Sequence, residues 1–388
     1  MNIAMVSAQA SPLAATSGLD ASEQSVHVAG LSAALARCGH QVAVYTRRDD
    51  PELPEIVETP QGYNVVHVAA GPPEPLADDE LPRAVGPFAR CLAAAWAESR
   101  PTIAHAHSWI SGIATQLVAR QIDLPTIVRF HGLGTGPRLR LEAKLAKTAT
   151  GVSAGCTDEA FQLIRMGRPR PGISVIPSGV DVDEFTPNGL LAPRGEAPRI
   201  VSVGKLLPCN GFDTIIRTLP FIPDAEVIVV VEDVSSEPDG EASRLHSLAE
   251  QLGVAERLKL HGAASVADKP ALLRSADVVA CAPSYESSGV VALEAMACGV
   301  PVVASAVGAL RDTVVHEVTG YLVGQQDPRK FAAAVNALLR DSFLRRSLGA
   351  AGRDRTVARY TWDRIAADTA RLYEKSISTC CEPAAAAL

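Results

Sequence analysis

The amino-acid sequence predicts an α/β fold made of two Rossmann-like domains. Short runs of apolar and β-branched residues alternate with amphipathic or alanine-rich segments along the whole chain. Strands that are connected through helices lie parallel, in sheets that helices cover on both faces. The alternation pauses once, in a Pro- and Gly-rich stretch at residues 187–198, and a chain of 388 residues is long enough for two domains of ordinary size.

The first domain is predicted to span residues 1–187. It opens directly with an apolar run at Asn2, without a charged leader or a cleavage site before it. Further runs rich in Val and Ile supply the other strands, and helical patterns lie between them. The predicted strands are residues 2–7, 41–46, 63–69, 102–106, 125–130 and 172–176, and the helices include 24–38 and 84–98.

A linker at residues 188–198 leads into the second domain, which is predicted at 199–360. A last helix is expected over residues 361–377, and residues 378–388 carry no packing pattern and are expected to be disordered. The predicted strands of the second domain are 199–204, 225–232, 257–261, 277–282 and 301–305, and the helices include 210–219, 241–253, 268–276, 327–341 and 343–353.

The composition excludes several classes of partner. A net charge of −7 without a basic block argues against nucleic acid, and 4% aromatic residues offer few platforms for bases. No apolar run reaches 18 residues, so no membrane span is expected, although peripheral membrane contact stays open. The eight cysteines contain no C-x2-C pair, which favours free thiols in a reducing cytoplasm.

Two acids, Glu286 and Glu294, stand eight residues apart across a predicted strand-to-helix turn. Ser287–Gly289 supply the residue types that begin a helix, and at ~100° per residue the two acids lie within ~80° of each other around the helix axis. Carboxylates bind sugar hydroxyls, and helix N-termini bind phosphates. The pattern therefore predicts a nucleotide-sugar site. The alternative is that the two acids have no ligand and only occupy a helix start, where Asp and Glu are common.

The surrounding residues, Glu294 to Val303 and then His316 to Val323, resemble the donor-binding segment of retaining GT-B glycosyltransferases of group 1 (family 4). The resemblance extends over residues 1–375 and implies two Rossmann-like domains that face a central cleft. It also implies that the last helix returns to the N-terminal domain, with a simple C-terminal helix of the second domain as the alternative. Enzymes of this family mostly need no essential metal, which the resemblance implies for this chain as well.

The resemblance assigns roles to several residues of the second domain. It implies that Glu286 contacts the hexose of the donor and that Glu294 bonds the ribose hydroxyls. The backbone N–H groups near Gly289, Val290 and Val291 are implied to receive the donor phosphates. Ser287 and Ser288 stand where the family often has Pro and Phe, which predicts an altered sugar preference.

The segment from Val203 to Asp213 resembles the family's G-R-L-x-P-x-K-G motif but departs from it at two cations. Gly204 is retained. Lys205 replaces the Arg and loses its bidentate geometry, and Asn210 replaces the Lys and loses its charge. Since the charge on a leaving diphosphate grows in the transition state, the loss predicts a turnover that is about 10- to 100-fold lower.

A second departure lies in the segment from Gly18 to Val28, where Ser22 and Glu23 replace two glycines of the family. Glycine lets the backbone approach a diphosphate closely. A carboxylate ~5 Å from phosphate would cost about 3 kcal/mol at an effective dielectric near 20. The alternative is that Glu23 serves as an N-terminal acid of the following helix.

On the acceptor side, residues 103–112 resemble the family's H-x-H-x-W segment. His107 is the candidate for contact with the sugar or acceptor, and Trp109 lies beside it. For either His105 or His107 the alternative is a buried structural histidine, and for His105 the two interpretations weigh about equally. His131 follows a strand end and is expected to face the cleft. The connection from Gly132 to Arg138 is short, which predicts a smaller or differently shaped acceptor site, or none.

The leading hypothesis is a retaining hexosyltransferase that uses a nucleotide diphosphate sugar, with Glu286, His107 and Lys205 as catalytic candidates. The acceptor, a small molecule, lipid or glycan, is not identified by the sequence. Asn210, Ser22 and Glu23 motivate a second hypothesis, a GT-B relative that binds a nucleotide sugar or a partner without efficient catalysis. A third hypothesis is a GT-B phosphorylase or epimerase. The two acids eight residues apart favour a transferase over this third hypothesis.

Overall fold

A computed structural model of the chain describes residues 1–14, 22–77, 79–231, 240–262 and 268–381. Two compact units are present: Met1–Pro177 together with the segment from Trp362 onward, and Ser178–Thr361. Each unit contains a sheet with helices around it, and all pairings but one are parallel. The predicted α/β class is confirmed.

Fourteen strands form among the described residues, eight in the first unit and six in the second. Their order in the first sheet is β3-β4-β2-β1-β5-β6-β7-β8, and in the second it is β11-β10-β9-β12-β13-β14. In chain order the strands are β1 Asn2–Val6, β2 Gln41–Arg47, β3 Ile56–Glu58, β4 Asn64–Val68, β5 Ile103–His107, β6 Thr126–Arg129, β7 Gly151–Ala154, β8 Ile173–Val175, β9 Arg199–Gly204, β10 Glu226–Val231, β11 Leu258–His261, β12 Val278–Cys281, β13 Val302–Ser305 and β14 Gly320–Val323.

The helices cover the sheets, because central parallel strands bury residues on both faces. In β1, β5, β6, β9 and β10 almost every side chain is buried. The α-helices of the described residues are α1 Glu23–Arg37, α2 Leu81–Glu98, α3 Ser108–Ala119, α4 Gly136–Thr148, α5 Thr157–Arg165, α6 Phe212–Thr218, α7 Glu241–Gln251, α8 Asp268–Arg274, α9 Val290–Ala297, α10 Leu310–Thr313, α11 Pro328–Arg340, α12 Ser342–Arg359 and α13 Trp362–Cys381.

The last helix, α13, belongs to the first unit and packs on α1. A Cβ atom at Gly30 would lie 2.3 Å from the Trp362 ring, so only glycine at that position lets the two helices approach this closely. Arg37 of α1 and Asp363 of α13 form an exposed ion pair at 2.7 Å. Between the two alternatives for this helix, the structure places it with the N-terminal unit.

The boundary between the units differs from the predicted one. The units divide between Pro177 and Ser178, whereas the prediction placed the boundary at 187 and a linker at 188–198. The segment that follows residue 178 has no helix and no extended strand, yet arginine side chains fix it to the second unit. Arg353 donates to the carbonyls of Val182 and Phe185, and Arg194 pairs with Asp277. A Pro- and Gly-rich composition therefore marked irregular backbone and not a free linker.

The chain's end also differs from expectation. Helix α13 continues to Cys381, so residues 378–381, predicted to be disordered, are helical. Ser378 and Thr379 donate their hydroxyls to the carbonyls of Glu374 and Lys375 one turn earlier, which keeps these polar residues compatible with a helix. The remainder of the predicted tail, 382–388, lies outside the described residues.

Candidate active site

The predicted donor residues of the second unit lie at the carboxyl ends of β9 and β12, where parallel α/β sheets bind their ligands. The two connecting loops are bonded to each other. Ser284 donates its N–H to the Cys209 carbonyl at 2.8 Å, and a Cβ atom at Gly211 would lie 1.8 Å from the Ala282 carbonyl oxygen. The loop that carries Lys205 and the loop that carries Glu286 are therefore held together.

The Glu286 carboxylate is fixed at the start of α9. Its Oε1 accepts from the N–H groups of Ser288 and Gly289, both at 3.0 Å, and from the Ser288 hydroxyl at 3.1 Å. The Glu286 carbonyl accepts from the Ala309 N–H at 2.9 Å, and a Cβ atom at Gly308 would lie 1.9 Å from that carbonyl. One carboxylate oxygen thus organises the loop, while Oε2 has no hydrogen-bond partner among the described residues.

The start of α9 leaves part of its backbone open for an anion. Gly289 adopts a φ of +69° before the first helical residue, and its N–H bonds to Glu286. The Val290 N–H points to the Ser288 hydroxyl at 3.4 Å. Within the described ranges the Val291 N–H has no acceptor, which is the usual state of a helix N-terminus and suits a phosphate oxygen.

Glu294 is buried in α9 and paired with a residue that the sequence analysis missed. The Lys269 Nζ lies 2.7 Å from Glu294 Oε2, and the two side chains are 15% and 9% exposed. Burial raises the pKa of the Cys281 thiol, and the charges of Glu286 and Glu294 raise it further, so both carboxylates act on the same end of β12. The sequence carries no signal for this pair, since Lys269 precedes Glu294 by 25 residues and lies on a different helix.

Asn210, which stands where the family has a lysine, has a structural role in its loop. Its Nδ2 donates to the Lys205 carbonyl at 2.8 Å. Gly204 ends β9, and a Cβ atom there would lie 3.2 Å from the same Nδ2. The amide therefore closes the turn that presents the half-buried Lys205 and adds no charge to it.

At the other predicted phosphate loop, Ser22 and Glu23 begin α1. The Ser22 hydroxyl accepts from the Ser25 N–H at 3.1 Å, as an N-cap does. Glu23 is the first helical residue and is exposed, which agrees with the reading of Glu23 as an N-terminal acid. Residues 18–21 of the same loop lie outside the described residues.

His107, the predicted contact for the sugar or acceptor, has no exposed surface. Its Nδ1 lies 2.9 Å from His131 Nε2, and His105 makes a bond of 2.8 Å from its Nδ1 to the Tyr373 hydroxyl. Burial leaves the His107 ring no exposed surface in this structure, and its contact with the sugar or acceptor stays a prediction. His105 is a buried structural histidine, as its alternative reading stated.

Burial and one guanidinium set the charge of these histidines. Burial lowers the pKa of His27, His105, His107 and His131, and the buried Arg129 beside them lowers it further. For His105 the pKa falls to about 3. All four rings are therefore neutral at pH 7.

His131 and Trp109 line a cavity of about 400 Å³ in the first unit. Arg138 forms part of its wall and is held by Glu142 at 2.8 Å and by the Gly132 carbonyl at 3.1 Å. The short connection from Gly132 to Arg138 therefore builds one side of a real cavity. The other lining residues are Gln9, Gln24, Asp79, Ser108 and Phe130.

Two features are absent from the residues that the structure describes. No group of three or more His, Cys, Asp or Glu side chains there has the geometry to hold a metal ion. Within the same ranges, no helix has the length and apolar character needed to cross a bilayer.

Two family models match the chain, one over each unit. The model described as glycosyl transferases group 1 matches residues 191–355, and that of glycosyltransferase family 4 matches residues 24–184. Among relatives, D-inositol 3-phosphate glycosyltransferase of Xylanimonas cellulosilytica is 34% identical over 96% of both chains. The enzyme of the same name from Jonesia denitrificans is 32% identical, again over 96% of each.

Solved structures share the fold. Sucrose-phosphate synthase from Thermosynechococcus elongatus aligns with a TM-score of 0.86 and 27% identity, over 97% of this chain and 99% of that one. HepE of Anabaena, solved with UDP-glucose, aligns with a TM-score of 0.77 and 19% identity over 97% and 99%, which concerns the fold alone. The chain therefore belongs to the group 1 (family 4) glycosyltransferases of the GT-B fold, enzymes that use nucleotide sugars.

Proposed function

We propose that the protein is a retaining hexosyltransferase that moves a hexose from a nucleotide diphosphate sugar to a hydroxyl of a phosphorylated polyol. The observation that carries the donor half is the fixed Glu286 carboxylate, which leaves one oxygen for a sugar hydroxyl next to the open Val291 N–H. We assign Lys205 to the diphosphate and Glu294 to the ribose of the donor.

An inositol phosphate is the acceptor that the relatives support, because that compound is named as the substrate of the two enzymes above. The cavity in the first unit suits such a molecule. His131 and Gln24 can bond hydroxyl groups, and Arg138 carries the positive charge that a phosphate attracts. Trp109 supplies an apolar wall for a ring.

Retention follows from displacement on one face of the sugar. The bond from the anomeric carbon to the diphosphate oxygen breaks while the acceptor oxygen bonds to the same face of that carbon. The acceptor's proton passes to the departing diphosphate. The chain's part is to orient both molecules and to stabilise the developing charge, with Lys205 as the cation at the diphosphate. We propose that no essential metal takes part.

The first experiment measures donor binding and transfer together. Calorimetric titration with UDP-, GDP- and ADP-hexoses identifies the donor, and transfer to inositol phosphates is followed by product mass. Glu286→Gln keeps an amide oxygen for the loop N–H groups but loses the charge, so we expect kcat/KM to fall about 10- to 100-fold with an intact fold. Glu250→Gln, at an exposed acid of α7 outside the donor-binding segments, is the matched control and should retain full activity.

Full activity of Glu286→Gln would show that the donor sugar is held elsewhere. A wild-type protein that binds a donor but transfers to none of the inositol phosphates would remove the acceptor proposal and keep the donor site.

One observation favours a second candidate, a nucleotide-sugar-binding protein with weak catalysis. The Asn210 side-chain amide donates to the Lys205 carbonyl, and the residue carries no charge at a position where the family has a lysine. Donor binding without measurable turnover would support this candidate.

A further inference from the structure

Four histidines form a cluster on one face of the first sheet. His105 and His107 alternate on β5 and so share a face, His27 reaches them from α1, and His131 follows β6. The ring centroids lie 4.3 Å apart for His105 and His107, 5.2 Å for His107 and His131, and 5.1 Å for His27 and His131. Only His131 also lines the cavity.

Each ring of this histidine cluster carries one proton, because buried imidazoles beside a guanidinium stay neutral. Arg129 is the register partner of His107 on the neighbouring strand, and its positive charge helps to lower the pKa of His107. Which of the two ring nitrogens holds the proton is then set by the hydrogen bonds that each ring can make.

For His107, the surroundings of its two ring nitrogens decide which of them carries the proton. Nδ1 faces His131 Nε2 at 2.9 Å, and Nε2 is buried without a partner among the described residues. A proton on Nε2 would leave a buried N–H unpaired beside a cation. A proton on Nδ1 is used in the bond to His131 and leaves only a lone pair, which is the less costly arrangement next to positive charge.

His131 then has to accept at Nε2 and carry its own proton on Nδ1. Its Nδ1 has no protein partner in the part of the chain that the structure describes, and it is absent from the buried unpaired atoms, so it opens to the cavity. The backbone of His131 adopts a φ of +55°, which is uncommon for a histidine. This backbone conformation sets the direction in which the side chain leaves the chain.

We propose that His107 is a positioning residue that holds His131 in its Nδ1–H tautomer, so that His131 donates a hydrogen bond to an oxygen atom of the molecule in the cavity. The tautomer is a property of the first unit alone. Only the identity of the ligand oxygen, a hydroxyl or phosphate oxygen of the acceptor, rests on the proposed function.

The tautomer is tested without substrate. The full-length protein is labelled with ¹⁵N-histidine, and a long-range proton–nitrogen correlation spectrum at pH 7.5 assigns protonated and bare ring nitrogens. We expect a protonated Nδ1 and a bare Nε2 for His131, and a protonated Nδ1 for His107. A protonated Nε2 on His131 in the wild-type protein overturns the proposal, whatever the enzyme's activity.

Two variants of His107 separate positioning from packing. His107→Leu removes the donor and should release His131 into a mixture of tautomers, while His107→Asn keeps an N–H for His131 Nε2 and should preserve the wild-type tautomer. Tyr373→Phe is the matched control, because it removes one buried bond to His105 and none to His131. An unchanged His131 spectrum in a folded His107→Leu protein contradicts the proposal, and if that variant does not fold, the wild-type spectrum still decides.

Kinetics then tests the consequence. We expect kcat/KM for the acceptor to fall about tenfold in His107→Leu, with the KM for the donor unchanged, and to recover in His107→Asn. Equal losses in His107→Leu and Tyr373→Phe would show that only general packing was disturbed. If the protein transfers no sugar at all, the spectrum still supports or rejects the tautomer.

Discussion

At the scale of single residues, the two carboxylates of the proposed donor site already have bonding partners within the chain. Glu286 gives one oxygen to its loop, and Glu294 is paired with Lys269. Such internal partners hold the carboxylates in place before a ligand arrives. The loss of side-chain conformational entropy on ligand binding is therefore smaller. The spacing of the two acids was visible in the sequence, but a partner 25 residues before Glu294 was not, because contact between helices depends on the fold.

Lys269→Met leaves the Glu294 carboxylate buried without its cation. We expect the second unit to lose about 2 kcal/mol or more of stability and the KM for the donor to rise about tenfold. Amide hydrogen exchange localised to residues 290–297 measures the first effect. The control is Lys330→Met, since Lys330 pairs with Asp327 at an exposed site and its loss should leave the stability nearly unchanged.

A second change at the partner checks that prediction. Lys269→Met combined with Glu294→Gln removes both charges, so it should recover most of the lost protection in α9. Unchanged exchange in the single variant would show that the pair contributes little.

At the scale of elements, the loop after β9 decides how much charge meets the diphosphate. The sequence shows an asparagine at position 210 where the family has a lysine. It does not show that the Asn210 amide donates to the Lys205 carbonyl and so closes the turn. Gly211, directly after Asn210, adopts a φ of +72° in the same turn, and a sequence pattern does not tell which carbonyl the Asn210 amide meets.

Asn210→Lys restores the cation that relatives of this family carry. We expect kcat to rise about tenfold, because the added charge acts mainly on the departing diphosphate. The variant also loses the amide bond to Lys205, so Asn210→Ala serves as the control that removes the bond without adding charge. A kcat for Asn210→Lys no higher than that for Asn210→Ala would show that charge at this loop does not limit turnover.

The elements themselves were predicted unevenly. Strands rich in Val and Ile, such as β1, β9 and β10, were found within about one residue of their ends. The short strands β3, β7 and β14 were missed. Gly151–Ala154 has one β-branched residue and no periodic pattern, and its strand forms because β6 and β8 provide hydrogen bonds on both sides. Tertiary context, and not local propensity, makes such strands.

At the scale of the whole molecule, the histidine cluster links the stability of the first unit to pH. The folded state holds the pKa of all four rings below the ordinary value near 6.5. The unfolded chain therefore binds more protons in acid, so stability is retained above about pH 6.5 and falls as the pH drops toward the folded pKa values, about 3 for His105.

Below pH 6 we expect the free energy of unfolding of the first unit to fall by up to about 1.4 kcal/mol per pH unit for each of these rings. All three tryptophans (Trp96, Trp109 and Trp362) lie in this unit, so tryptophan fluorescence in urea follows it separately. Replacing the exposed His246 by Gln should not alter the slope. A flat profile between pH 7.5 and 5 would contradict the neutral state of the cluster.

The return of α13 to the first unit has a consequence for synthesis on the ribosome. The first unit needs Tyr373 to complete the buried bond to His105, 268 residues earlier in the chain, whereas the second unit ends at Thr361. Translation proceeds at about 5–20 residues per second. The second unit is therefore synthesised in full before the helix that completes the first, and the nascent N-terminal sheet exposes its histidine face until α13 has emerged.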